Sequence, residues 1–106
     1  MNLEDIQSII ENKPAVMLYF WGEDCAVCDA LKPKIKELLD NNFPKIEQIY
    51  IDAKNNTNIA ANFNVFAIPT TIIFLDGKEF LREGRNVSIV TLKDKLERVY
   101  NLFFNN

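Results

Sequence analysis

The sequence predicts an α/β fold in which a mixed four-stranded sheet carries helices on both faces. Three observations lead to it. The run Ala15–Trp21 is continuously apolar, which is typical of a strand buried on both faces of a sheet. Apolar residues recur at helical spacing on both sides of this run. Near the C-terminal end, Asp76-Gly77 separates two strand-like segments and predicts a hairpin. We expect the 106 residues to form one domain, 1–106.

The first half of the chain predicts alternating helices and strands. In order they are an amphipathic helix over 3–12, strand 15–21, a helix from Cys25 that stops at 41–44, and strand 46–52. Pro14 ends the first helix, and Pro33 should kink the second, because proline removes a backbone hydrogen bond. Since a helix joins the two strands, we expect them to be parallel with a right-handed crossover.

The second half predicts a short helix, a hairpin and a last helix. These are a weak helix around 59–63, strand 70–75, an edge strand 78–83 broken by Gly84, and a helix capped by Ser88. The last helix shows one apolar face, made of Ile89, Leu92, Leu96, Val99 and Phe103. The predicted order is therefore α-β-α-β-α-β-β-α.

Composition excludes several classes of protein. A net charge of −3 argues against a nucleic-acid-binding surface, and the apolar runs are too short to span a membrane. The N-terminal residues show no basic segment followed by an apolar one, so no secretory signal is predicted. We expect a cytoplasmic monomer.

Both cysteines of the chain, Cys25 and Cys28, lie where the apolar strand gives way to a helix. Unpaired N–H groups and the positive end of the dipole at a helix start favour a thiolate. We therefore expect Cys25 to be the exposed, attacking sulfur. Cys28, one turn further on, can resolve a mixed disulfide formed by Cys25. The pair predicts two-step thiol–disulfide exchange.

Two other uses of the cysteine pair remain open but are less favoured. A purely structural disulfide would close a loop of two intervening residues, which removes little entropy from the unfolded chain. A zinc site needs about four ligands, and the chain has two cysteines and no histidine. Glu23, Asp24 and Asp29 could assist, or two chains could share a metal. We expect no metal and no bound cofactor.

The segment Phe20–Cys28, Phe-Trp-Gly-Glu-Asp-Cys-Ala-Val-Cys, together with Pro33 and Ile68-Pro69-Thr70, resembles the thioredoxin family. The resemblance covers essentially the whole chain and implies the thioredoxin fold. It implies that Pro69 is a cis-proline beside the cysteines and that the backbone of Ile68 pairs with an extended substrate segment. It further implies that Gly84 lines the substrate groove.

Four residues next to the cysteines complete the expected substrate-binding surface. Trp21 is expected to form a wall behind the redox site, and Asp24 to modulate the charge at its mouth. Ala26 and Val27, between the cysteines, replace the Gly-Pro pair usual in the family, and Asp24 replaces a tryptophan. Ile68, Pro69 and Gly84, which the resemblance places at the substrate groove, complete the expected substrate-binding residues.

Further departures concern the interior and the strand count. Tyr19 stands where the family has a buried acid, and Gln48 where it has that acid's partner lysine. The usual proton acceptor for the resolving cysteine is therefore missing. The chain also begins at the first helix, without the family's extra N-terminal strand, so we expect four strands rather than five.

Three acids, Glu23, Asp24 and Asp29, surround the pair, and no arginine or histidine is expected nearby. Like charges disfavour a thiolate at Cys25, which favours the disulfide form of the protein. We therefore expect a reductant rather than an oxidant. The alternative is that these acids are solvated and stabilised by the helix dipole, with little effect on the sulfur.

The preferred function is a thiol–disulfide oxidoreductase that reduces protein disulfides. The resemblance implies re-reduction by a thioredoxin reductase-like enzyme. The main alternative is a thioredoxin-fold adaptor that docks a partner and turns over poorly, which the missing acid at Tyr19 and the unusual Asp24 favour somewhat. A glutaredoxin-like role with glutathione is weaker, because the residues flanking the cysteines do not match that pattern.

Overall fold

Eight elements follow one another in the predicted order. The computed structural model describes residues 1–104. Its elements are α1 (Leu3–Asn12), β1 (Ala15–Trp21), α2 (Ala26–Asn42), β2 (Glu47–Asp52), α3 (Thr57–Asn62), β3 (Thr70–Leu75), β4 (Lys78–Glu83) and α4 (Ile89–Phe104). None of the helices in these residues is both long enough and apolar enough to cross a membrane.

The strands form one mixed sheet in the order β2-β1-β3-β4. β1 pairs with β2 in parallel and with β3 antiparallel, and β3 and β4 form the hairpin. Burial follows this order, because the side chains of the central strand β3 are all buried, whereas most of those on edge strand β4 are exposed. The predicted four-stranded mixed sheet is confirmed.

Alternate side chains of β1 enter two different cores, one on each face of the sheet. Met17 and Tyr19 lie in a cluster with residues of α2 and α4, including Ile35 and Leu96. The intervening Leu18 belongs to the second cluster, with residues of α1 and α3. Because both faces are covered, every position of the strand can be apolar, and this explains the unbroken apolar run.

Local sequence signals place the helix starts. The side chain of Asn2 accepts the N–H of Asp5 while Asp5 accepts the N–H of Asn2, a capping box that begins α1. Cys25 is the N-cap of α2, which continues through Pro33 to Asn42. The redox segment is therefore tied to the first turn of the longest helix among residues 1–104.

One prediction about α4 is wrong. Phe103 was expected on the buried face, but its side chain is 41% exposed, and the neighbouring Phe104 packs against the core instead. Phe104 contacts the ring of Tyr100 at a centroid distance of 4.7 Å. Tyr100 in turn lies 5.1 Å from the ring of Phe43. These aromatic contacts set the rotation of the last turn, which apolar spacing alone does not decide.

Candidate redox site

The cysteines lie at the corner between β1 and α2. After Trp21 the chain turns through residues 22–24, where Asp24 has a positive φ of 57°, and Cys25 then caps the helix. Cys25 and Cys28 are joined by a disulfide, with their Cα atoms 5.2 Å apart. The corner therefore holds both sulfurs within bonding reach of each other, as reversible thiol–disulfide exchange requires.

The two sulfurs differ in exposure. Cys28 is 1% exposed and Cys25 is half-buried, so Cys25 is the sulfur that another molecule can reach. The backbone N–H of Cys28 donates to Sγ of Cys25 at 3.2 Å. Such a bond, together with the positive end of the α2 dipole, favours negative charge on Sγ of Cys25 once the disulfide is reduced.

Tyr19 contacts the backbone of Cys28, the cysteine expected to resolve the mixed disulfide. Its side chain is fully buried, and its hydroxyl donates a 2.8 Å hydrogen bond to the carbonyl oxygen of Cys28. Burial, followed by the negative charge of Asp29, raises the pKa of Tyr19 to about 12. The phenol is therefore protonated at neutral pH and bound to a carbonyl. It cannot accept a proton as the family's acid would.

Gln48 reaches Tyr19 only through Tyr50. The residue beside Tyr19 in the β1–β2 register is Tyr50, and the two rings lie 5.8 Å apart. The hydroxyl of Tyr50 donates to Oε1 of Gln48 at 2.6 Å, while Nε2 of Gln48 donates to Asp40. Burial raises the pKa of Tyr50 to about 12 as well. Tyr19 and Gln48 thus stand where the family has its acid–lysine pair, and neither carries a charge at neutral pH.

The peptide bond between Ile68 and Pro69 is cis. Thr70 pairs with Phe20 in the β1–β3 register, so Pro69 lies next to the point where β1 enters the redox turn. A Cβ on Gly22 would lie 2.7 Å from Cδ1 of Ile68. The redox turn and the segment before β3 are therefore in close contact, and only glycine fits between them without a shift.

Pro69 and Gly84 line the same groove. It measures about 480 Å³ and is bounded by residues 67–70 on one side and 83–87 on the other. A Cβ on Gly84 would meet no atom within 4 Å, so the backbone there is open to solvent. The topology thus brings together two residues that are fifteen positions apart in the sequence.

The other predicted binding residues take different positions around the cysteines. Asp24, Ala26 and Val27 are exposed at the surface. Trp21 is half-buried and packs against the core, with the ammonium group of Lys32 5.5 Å from its ring centroid. Trp21 therefore packs inward, whereas the other three are exposed within two positions of Cys25 in the chain.

Two cations of the site were missed by sequence reasoning. Nζ of Lys54 donates to the carbonyl oxygen of Glu23. Arg85 places Nη2 3.5 Å from the carbonyl oxygen of Ile68. Neither contact follows from local spacing, although the position of Arg85 directly after Gly84 was a usable signal.

Potential metal ligands do not cluster within residues 1–104. No group of three or more histidine, cysteine, aspartate or glutamate side chains there is arranged to hold an ion.

Comparison with known proteins matches nearly the whole chain to thioredoxins. A family model described as Thioredoxin matches residues 1–98. The thioredoxin-like protein YdfQ of Bacillus subtilis (strain 168) is 37% identical over 102 residues, covering 96% of this chain and 90% of that protein. Among solved structures, oxidised mitochondrial thioredoxin 3 of Saccharomyces cerevisiae superposes with a TM-score of 0.79 at 21% identity, covering 92% and 90%. Fasciola hepatica thioredoxin gives 0.73 at 27% identity, covering 91% and 89%.

Proposed function

The chain belongs to the thioredoxin family, and we propose that it reduces disulfides of partner proteins, with Cys25 attacking and Cys28 resolving. Its family and its Cys-x-x-Cys pair make it a thiol–disulfide oxidoreductase. One observation carries the assignment of roles: the accessible Cys25 caps a helix, within disulfide distance of the buried Cys28.

The proposed reaction has two exchange steps. The thiolate of Cys25 attacks one sulfur of the substrate disulfide, forms a mixed disulfide and releases the other substrate sulfur as a thiolate. The thiolate of Cys28 then attacks Sγ of Cys25, closes the Cys25–Cys28 disulfide and releases the second substrate sulfur. Two electrons pass to the substrate, and the protons of the two cysteine thiols are balanced by those taken up by the two substrate thiolates. A separate reductase-class enzyme must return two electrons and two protons.

The direction of the reaction follows from the charges at the mouth. Glu23, Asp24 and Asp29 disfavour a second negative charge on the reduced pair, which favours the disulfide form and makes the protein a reductant. The helix dipole and the N–H of Cys28 act in the opposite sense. We place the balance on the reducing side because three acids lie within two positions of a cysteine in the chain.

The proposed substrate site combines the surface around Cys25 with the groove beside Pro69. An extended segment would pair with the backbone of Ile68 and lie against Pro69 and Gly84, while Asp24, Ala26 and Val27 contact it near the sulfur, and Trp21 supports the turn. The contact between Gly22 and Ile68 supports this arrangement, because it joins the sulfur-bearing turn to the proposed docking strand.

A specific observation favours the second candidate, an adaptor with weak turnover. The phenol of Tyr19 is protonated at neutral pH and cannot take the proton of the Cys28 thiol. Resolution must then pass the proton to solvent, which slows release of a docked partner. Under this alternative the chain would hold partners longer than it reduces them.

We further propose that the chain is one domain, 1–106, and works as a monomer in the cytoplasm. Both core clusters share the single sheet, which supports one domain. Both cysteines are used in the redox pair, leaving none for a structural disulfide, as suits a reducing compartment. The partners are protein disulfides and a thioredoxin reductase-like enzyme.

The test is reduction of a model protein disulfide by the dithiol form of the protein. We expect repeated turnover by the wild type and none by Cys25→Ser. Activity that persists in Cys25→Ser contradicts the assignment of the nucleophile. Absence of turnover in both proteins favours the adaptor.

A further inference from the structure

Arg85 is an exposed cation at the edge of the groove that contains Pro69 and Gly84. Its Nη2 lies 3.5 Å from the carbonyl oxygen of Ile68, which is the outer limit of a hydrogen bond. A contact this long holds the side chain weakly. The guanidinium can therefore turn to a better acceptor at little cost.

Within residues 1–104, no carboxylate forms a salt bridge with Arg85. Glu83, two positions away, accepts from Lys95 at 3.3 Å instead. Arg82 provides the contrast, since it pairs with Glu79 and also donates to two backbone carbonyls. The guanidinium of Arg82 is thus engaged by groups of the protein itself, whereas the N–H groups of Arg85 are available to a ligand in the groove.

A cation borders each of the two grooves that Ile68 lines. Ile68 lines both the Pro69 groove, which Arg85 borders, and a second groove of about 410 Å³, which Lys54 borders. Phe66, 84% exposed, lines that second groove too. Acids flank the cysteines at the start of α2, with Asp24 next to Cys25, and Glu83, which also lines the Pro69 groove, accepts from Lys95. A segment lying across Ile68 therefore meets Arg85 at one groove and Lys54 at the other, whereas Asp24 directly precedes the attacking Cys25 in the chain.

We propose that Arg85 is a specificity-determining residue that pairs with an aspartate or glutamate of the substrate, within a few residues of the attacked cysteine. The inference rests on the proposed function, because it uses the backbone of Ile68 as the docking strand. A guanidinium presents a planar fork that binds a carboxylate through two N–H groups. The acids of the redox turn repel an acidic side chain placed beside the sulfur, so the preference depends on position as well as on charge.

The preference must be local, because the whole chain carries a net charge of −3 and does not attract acidic proteins in general. An exposed ion pair of this kind changes binding by about three- to fivefold. It also weakens as salt is raised, since exposed charges are screened over about 10 Å at 0.1 M.

The test uses disulfide-linked peptides that differ only by glutamate, glutamine or lysine at each position within three residues of the cysteine. At one position or more, we expect the wild type to reduce the glutamate peptide with a kcat/KM about three- to fivefold above that of the glutamine peptide. Arg85→Gln should remove this ratio, and Arg85→Glu should turn it in favour of lysine. Arg98→Glu makes the same change of charge at an exposed residue of α4 and should keep the wild-type ratio.

Two results overturn the inference: equal kcat/KM for the three peptides at every position, or a glutamate preference that persists in Arg85→Gln. Failure of the proposed function has a different signature, because the wild type would then reduce none of the peptides, the glutamine peptide included. Because Arg85 is exposed, both Arg85 variants should keep the fold. Far-UV circular dichroism checks this before rates are compared.

Discussion

The hydroxyl of Tyr19 donates a 2.8 Å hydrogen bond to the carbonyl oxygen of Cys28. This bond joins the centre of the sheet to the first turn of α2, where the second cysteine lies. A protonated phenol therefore fixes the position of that turn, where an acid in the same place would exchange protons with the sulfur. We therefore expect Tyr19 to act as a positioning residue and solvent to accept the proton in the resolving step.

Tyr19→Phe should lower the free energy of unfolding at pH 7 by about 1 kcal/mol, because a buried hydrogen bond is lost. The pKa of Tyr19 is raised from 10 to about 12 in the folded state. A raised pKa stabilises the protein below pH 10, and this contribution is lost as the pH rises towards 12. The stability difference between wild type and Tyr19→Phe should therefore fall by about 1–2 kcal/mol between pH 9 and 12.

Urea unfolding of both proteins across that pH range measures the difference. The same comparison in a Tyr50→Phe background removes the titration of Tyr50, whose charge contributes to the raised pKa of Tyr19. A stability difference that does not depend on pH would contradict the buried, neutral state of Tyr19.

Thr71→Val should raise the free energy of unfolding by about 1 kcal/mol. The hydroxyl of Thr71 is buried without a hydrogen-bond partner, and valine keeps its shape while removing the polar atom. Thr70→Val is the matched control, because the hydroxyl of Thr70 donates to the carbonyl of Ala67 at 2.7 Å. The control should lose stability. A loss of stability in Thr71→Val as well would show that the hydroxyl of Thr71 has a partner in solution.

Gly22→Ala should disturb the site more than the fold. Its Cβ would lie 2.7 Å from Cδ1 of Ile68 and 3.0 Å from Cε of Lys54, and both side-chain ends can rotate away. We expect a loss of stability of about 1 kcal/mol, and a fall of up to about tenfold in kcat/KM for a protein disulfide, because Ile68 is displaced. Thermal unfolding and disulfide reduction measure the two effects.

Gly84→Ala is the control for the stability effect of Gly22→Ala, because it adds the same methyl group where no atom is in the way. Space around Gly84 is open, so its variant should unfold at the wild-type temperature or slightly above it. A Gly22→Ala variant with unchanged kcat/KM would show that the position of Ile68 does not matter for reduction.

Asp24→Asn tests the effect of the acidic mouth on the sulfur. Asparagine tolerates the positive φ of this position as well as aspartate does, so the change removes charge and little else. One negative charge fewer favours the thiolate of Cys25, so alkylation of the reduced protein at pH 7 should be about twofold faster. The variant should also be less reducing.

Asp94→Asn makes the same change of charge at an exposed residue of α4 and should alkylate at the wild-type rate. A slower reaction of Asp24→Asn, or equal rates in all three proteins, would contradict the electrostatic role of Asp24.

Local patterns were enough to predict the framework of the fold and the sulfur-bearing turn. The apolar run of β1, the turn at Asp76-Gly77 and the spacing of Cys25 and Cys28 are short-range signals, and each has its predicted place in the structure. These features depend on neighbours within a few residues, which a sequence displays directly.

Contacts between distant segments could not be predicted in the same way. The approach of Lys54 to Glu23 and of Arg85 to Ile68 depends on how loops meet across the sheet. The bond made by Tyr19 depends on the rotation of α2 above β1. Apolar spacing defines which face of a helix is buried only to within about one residue position. Phe103 shows the size of this error, because it was expected in the core but is exposed.

The central claim is that Cys25 forms a mixed disulfide with a protein substrate and that Cys28 resolves it. The most direct measurement mixes reduced Cys28→Ser with a disulfide-containing protein and records intact masses. The account predicts a one-to-one covalent adduct that dithiothreitol releases and that Cys25→Ser does not form. An equal yield of adduct from Cys25→Ser, or no adduct from Cys28→Ser, would contradict it.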